Sequence, residues 1–157
     1  YAALARRGAA LAPIGSGCVK TSSADAMPTR LRAIYAGLSE AVERLRPDAV
    51  AIEELHSVAR FARVAILMAQ ARGVAMLVAA EHRLPVLEFR PTAAKNVVTG
   101  FGRATKEQVQ RAVAMRLGLA EPVKNEHVAD AFALAICGAL SPETRARRGG
   151  RERVMQP

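Results

Sequence analysis

The chain of 157 residues contains no tryptophan, two tyrosines and four phenylalanines. A surface built to stack many nucleobases on aromatic rings is therefore excluded. It has only two cysteines, Cys18 and Cys137, far apart and without a CxxC pair. Neither a disulfide framework nor a zinc site is expected, and a reducing cytoplasm fits. The most apolar stretch, Val64 to Ala80, is broken by Gln70 and Arg72 and is not read as a membrane span. Acid is scarce as well: 14 Asp and Glu stand against 23 Lys and Arg, a net charge of +9. That balance points to a polyanionic partner, nucleic acid before a membrane surface. The tail is not the whole cause, since residues 141–157 hold five Arg and two Glu and the body keeps most of the excess. A hydrophobic share of 51% excludes a disordered chain, and the length is that of one domain.

The pattern along the chain alternates in period. Tyr1 to Arg6 is short and mostly apolar, Arg7-Gly8 is a turn signal, and Ala9 to Thr21 reads as a second strand. After a polar loop the period changes at Pro28. Leu31, Ile34, Leu38, Val42 and Leu45 recur at helical spacing until Pro47. Asp48 to Glu53 is a short apolar run ending in acid, the pattern of a strand buried on both faces. Arg60 to Arg83 predicts a long helix, apolar on nearly every side, which needs cover beyond one sheet. A second copy of the chain is the expected cover. Pro85 to Phe89 predicts a strand, and Pro91 opens a helix that Gly100 ends. Thr105 to Gln108 has the capping-box pattern of a helix start, and Asn125 is the expected N-cap of a last helix running to about Leu140. Residues 1–140 thus form one α/β domain of mixed sheet and crossover helices. The basic tail 141–157 has no periodicity and is expected to be disordered.

Few residues stand out for chemistry. Glu53 ends a buried strand, where an unpaired carboxylate is costly and a ligand or catalytic role is common; the plain alternative is a solvated strand end paired with an Arg. Glu54 points to the opposite face. His127 and Asp130 lie three apart near the start of the last helix, so both can converge on one ion or phosphate. The plain reading there is a carboxylate complementing the helix N-terminus. The stretch Gly15 to Thr21 looks faintly like a phosphate-binding loop, but Ile14 and Val19 stand where glycines are required. His56-Ser57 is not a nucleophile pair, and both cysteines read as small core residues.

Taken together and in order, GSGCVKT (15–21), RLRAIYAGL (30–38), RPDAVAIEE (46–54), QARGV (70–74), KNVVTGFGRATKEQV (95–109) and HVADAFALA (127–135) resemble the RuvC family of Holliday junction resolvases. The resemblance implies a ribonuclease H-like fold, a mixed five-stranded sheet flanked by helices. It implies a homodimer that cuts opposed strands of a four-way DNA junction in recombination and repair, working with a branch-migration helicase. The family's site has four metal-binding positions. Three fall on Glu53, His127 and Asp130; most members have Asp where His127 stands, and some have His. The fourth is an Asp in a GIDPG-like segment of the first strand, which this sequence does not contain. Tyr1 falls just after that segment's expected end, so the first strand is expected to be mostly missing from this chain. Asp25 and Asp48 cannot stand in, lying in a loop and at a strand start.

The implied chemistry is metal-dependent phosphodiester hydrolysis by two Mg²⁺ or Mn²⁺ ions per subunit. Glu53 would hold one ion, Asp130 another, and His127 would ligate or orient the attacking water. Lys95 and Lys106 match basic positions that the family uses near DNA, against a plain reading as solvated lysines. The family also carries an aromatic wedge shortly after the catalytic Glu; His56 holds that place here, and Phe61 follows. Two rival readings stay open on the sequence: a junction- or duplex-binding protein without catalysis, and a ribonuclease H-like nuclease of RNA processing.

Overall fold

The computed structural model describes residues 1–55, 62–146 and 152–156, with side chains described for 1–55 and 63–144. Strand β1 (Ala2–Arg7) turns through Gly8, whose φ of 62° suits a tight reversal, into β2 (Ala10–Ser16). The second strand is shorter than its apolar pattern suggests. Pairing with the first strand ends at Gly17, whose amide donates to the Tyr1 carbonyl at 2.9 Å and whose carbonyl accepts from the Tyr1 amine at 2.8 Å. A Cβ at Gly17 would lie 2.7 Å from the Tyr1 hydroxyl oxygen, so a larger residue could not follow this path without moving the ring.

Helix α1 (Met27–Leu45) starts with Pro28 in its first turn and buries Leu38, Ala41, Val42 and Leu45. Arg46 ends it in the left-handed region with φ 45°, its amide on the Val42 carbonyl, and Pro47 forbids continuation. β3 (Ala49–Glu53) follows, then α2 (Ala62–Glu81), β4 (Val86–Phe89) and α3 (Pro91–Thr99). α4 (Lys106–Leu117) begins with the expected capping box: Thr105 accepts from the Gln108 amide, and the Gln108 side chain accepts from the Thr105 amide. α5 (Glu126–Leu140) is capped by Asn125, which accepts from the His127 and Val128 amides at 2.9 and 3.3 Å. A short α6 (Pro142–Ala146) follows, tied back by Thr144 Oγ1 donating to the Gly138 carbonyl.

The sheet order is β2-β1-β5-β3-β4, where β5 is Glu152–Gln156. These five residues correct the expectation of a disordered tail. β5 runs antiparallel to β1, from Ala2 opposite Gln156 to Arg6 opposite Glu152. It runs parallel to β3 at Ala49–Val154 and Val50–Met155. β1 and β3 are buried strands whose backbone groups require partners, and β5 supplies them.

Side chains alternate across the sheet and so define two layers. Ala3, Val50 and Ile52 pack with α1 and α2 in one cluster. Ala2 and Leu4 pack with α3, α4 and α5 in a second, and Ala51 meets Leu134 and Ala94 in a third on that same side. α5 is buried along almost all its length, from Ala129 through Ala139 except Asp130. α2 is not. Ala75, Val78 and Ala79 pack inward, while Val64, Ile66, Met68 and Leu77 are about half exposed. By length and composition Arg63–Glu81 is apolar enough to cross a membrane even with Gln70 and Arg72 in it. Its contacts with α1 and with β3 side chains make it a packing helix of this fold.

Candidate active site

The alternation of β3 decides where its terminal carboxylate goes. Ala51 packs on Leu134, so Glu53, two residues on, shares the face turned to α5. Asp130 lies one helical turn before Leu134 on α5. Glu53 and Asp130 accordingly border one cavity of about 200 Å³, with Pro91, Ala94, Lys95 and Val109. Residues far apart in sequence are brought together by one strand end and one helix.

Asp130 is half-buried, and loss of water pushes its carboxyl above its ordinary value; Lys95, Lys106 and His127 pull it back down. Lys95, on α3, turns its ammonium to the Ala104 carbonyl at 3.3 Å. Lys106, at the start of α4, pairs with Glu126 at 2.7 Å. That pair raises the lysine and lowers the glutamate. Both lysines predicted to meet DNA thus stand beside the α5 N-terminus.

His127 is placed differently. Its ring is exposed, with Nε2 3.9 Å from Glu126, and it borders a larger cavity of about 590 Å³. Glu53 borders that cavity too, with Lys20, Ile34, Met68 and Arg72. Asn125 ties the rim together by donating to Cys18 Sγ at 3.6 Å. Glu53 therefore stands between Asp130 on one side and His127 on the other. Among the described residues no three His, Cys, Asp or Glu side chains converge as a finished ion cage. The donor chemistry nevertheless suits a hard divalent cation: two carboxylates open on one cavity, and one of them is partly stripped of water and gains from a positive charge.

Arg72 was not singled out from the sequence, and only its place in QARGV could have marked it. It lies within reach of the Glu53 carbonyl. The predicted wedge positions, His56 and Phe61, lie outside the described residues. Cys137 is a core residue as expected, its thiol pushed by burial up to about 11; Cys18 corrects that expectation, being exposed just past β2, where its sulfur accepts from Asn125. The stretch 15–21 does not lead into a helix N-terminus: Gly15 and Ser16 end β2, and α1 begins only at Met27.

Comparison with known proteins identifies the family. The family described as crossover junction endodeoxyribonuclease RuvC matches residues 1–138. The crossover junction endodeoxyribonuclease RuvC of Moorella thermoacetica is 45% identical over 130 residues, covering 83% of this chain and 77% of the relative. That of Desulfitobacterium hafniense strain DCB-2 is 40% identical over 150 residues, covering 96% and 90%. Among solved structures, Thermus thermophilus RuvC in complex with a Holliday junction substrate superposes with a TM-score of 0.82. It is 32% identical and covers 97% of this chain and 90% of that one. This chain belongs to the RuvC family of crossover junction endodeoxyribonucleases.

Proposed function

We propose that this nuclease resolves four-way DNA junctions through Glu53, Asp130 and His127, the two carboxylates holding divalent cations and the imidazole orienting the attacking water. As a member of its family the chain is a hydrolase of DNA recombination and repair, and use of a divalent metal comes with that chemistry. The observation that carries the residue assignment is the shared cavity of Glu53 and Asp130, with Lys95 on its wall. The fitting ions are Mg²⁺ or Mn²⁺, two per subunit. Such ions lower the pKa of an attacking water and neutralise charge on the phosphate. The chain's own residues do the rest. Lys95 and Lys106 draw the phosphate towards the α5 N-terminus, and their positive charge opposes the rise that burial imposes on the Asp130 carboxyl. His127, exposed and with Nε2 3.9 Å from Glu126, would ligate a cation or hold the attacking water by hydrogen bond.

Junction cutting needs two such sites facing opposed strands. We place the partner protomer on the exposed face of α2, where Val64, Ile66, Met68 and Leu77 lack cover among the described residues. Small residues at Ala69 and Gly73 leave room for close approach; a Cβ added at Gly73 would meet nothing. The nuclease domain takes in β5 at Glu152–Gln156 as well as residues 1–140, the setting is the cytoplasm, and a branch-migration helicase is the further partner.

The test is substitution in the DNA-cleaving protein. Glu53→Gln and Asp130→Asn should each abolish cleavage while junction affinity stays within a few-fold, because binding rests on phosphate contacts. Loss of binding in parallel with cleavage would make both residues structural. His127→Asp should retain substantial activity, since either side chain can ligate a divalent ion.

A further inference from the structure

Arg72 has three partners, and two of them belong to the end of the catalytic sheet. Its Nε donates to the Glu53 carbonyl at 3.4 Å, its Nη2 pairs with the Glu88 carboxylate, and its Nη1 lies 3.5 Å from Met76 Sδ, one turn along α2. The strand geometry explains why an arginine suits this place. The Val50 and Glu54 amides turn to β4, donating to the Pro85 and Phe89 carbonyls. By alternation the Glu53 carbonyl turns the other way, and β5 is registered with β3 only at Ala49 and Val50, short of it. Glu88 is registered with Ile52 and so shares the α1–α2 face of the sheet. One planar guanidinium therefore reaches both the β3 backbone and the β4 side chain. It does so from the face opposite Asp130, on the wall of the larger cavity that Glu53 and His127 also border.

We propose that Arg72 is a positioning residue: it locks the ends of β3 and β4 together from behind and thereby aims the Glu53 carboxylate at the Asp130 cavity. This rests on the assignment of Glu53 above and extends it to a group that touches neither ion nor DNA. Arg72 belongs to the same helix as the exposed face of Val64, Ile66, Met68 and Leu77, so the latch also ties that helix to the reacting end of the sheet.

The experiment compares Arg72→Gln, Arg72→Lys, Glu88→Gln and Glu53→Gln in the DNA-cleaving protein. Four readouts are kcat and KM on a four-way junction, junction affinity without cleavage, Mn²⁺ binding to the DNA-free protein by electron paramagnetic resonance, and thermal midpoint. Groups that orient a ligand typically change metal affinity or activity by about 10- to 100-fold. Arg72→Gln should lower kcat and weaken Mn²⁺ binding in that range with KM and junction affinity unchanged. Arg72→Lys should recover part of the loss through Glu88, and Glu88→Gln should fall between them. Wild-type kcat and Mn²⁺ binding in Arg72→Gln overturn the inference, and so does a lower thermal midpoint with kcat intact. Loss of junction affinity in step with kcat also overturns it, making Arg72 a DNA contact. Active Glu53→Gln would instead overturn the assignment of Glu53 itself, whatever Arg72 does.

Discussion

Two helices of this chain are rich in Ala, Val, Ile and Leu, and they meet different fates. α5 lies across the sheet and buries Ala129 and every residue from Ala131 to Ala139. α2 buries Ala75, Val78 and Ala79 and leaves Val64, Ile66, Met68 and Leu77 in the open. Composition is nearly blind to this difference. What separates them is how many elements reach each helix among the described residues: α5 meets β1, β3, β4, β5, α3, α4 and α6, whereas α2 packs mainly on α1 and the β3–β4 side of the sheet. An apolar helix covered on all sides is core, and one covered on a single side leaves an apolar face open to another surface. The single acidic side chain in the buried run of α5, Asp130, is then the exception that core packing cannot account for, and it opens on Glu53.

The comparison can be broken by substitution, first where the largest effect is expected. Ile136→Ala removes a side chain that is 0% exposed and should cost about 2–5 kcal/mol by denaturant unfolding. Leu77→Ala on the outer face of α2 should cost less than roughly 0.5 kcal/mol in the isolated protomer, as for other surface positions. Equal losses would mean that α2 is covered within one chain.

Ala69→Glu comes next. An unpaired charge buried between two protomers is strongly unfavourable, so sedimentation at micromolar concentration should show monomers, and these should nick junctions without resolving them. A monomeric unmodified protein would remove α2 from the interface. Gly73→Ala sharpens the same point in smaller steps. Within one chain the added methyl meets nothing and should favour the helix by up to about 1 kcal/mol, yet it should weaken a close-packed dimer.

The smallest effect concerns Asp130. Burial raises its carboxyl in the folded protein, so the fold binds that proton more tightly than the unfolded chain does. At pH well below the usual carboxylate range both states are protonated and no penalty exists. As pH rises through and above that range, ionisation in the half-buried site costs stability. Asp130→Asn should therefore raise the thermal midpoint at neutral pH and lose that gain in acid, while cleavage is lost. A midpoint unchanged at neutral pH would show that the lysines nearby cancel the burial.

Much of this molecule could be read from order and spacing alone. The period-two and helical runs located β1, α1, β3, β4 and α3, because burial of one face writes itself into local sequence. The caps at Thr105 and Asn125 were legible because capping is a contact between near neighbours. Glu53 could be named as a strand-end carboxylate, and His127 and Asp130 as a one-turn pair. Tertiary structure alone decided that Glu53 and Asp130 share a cavity while His127 faces the other side of the carboxylate. It alone brought Arg72 to Glu88 and Glu53. It also drew Glu152–Gln156 into the middle of the sheet, where a run with Glu, Arg and Gln gives little local sign of a central strand. The physical reason is the same in each case. Periodicity and capping act over a few residues, whereas strand pairing and helix docking join segments that no local pattern links.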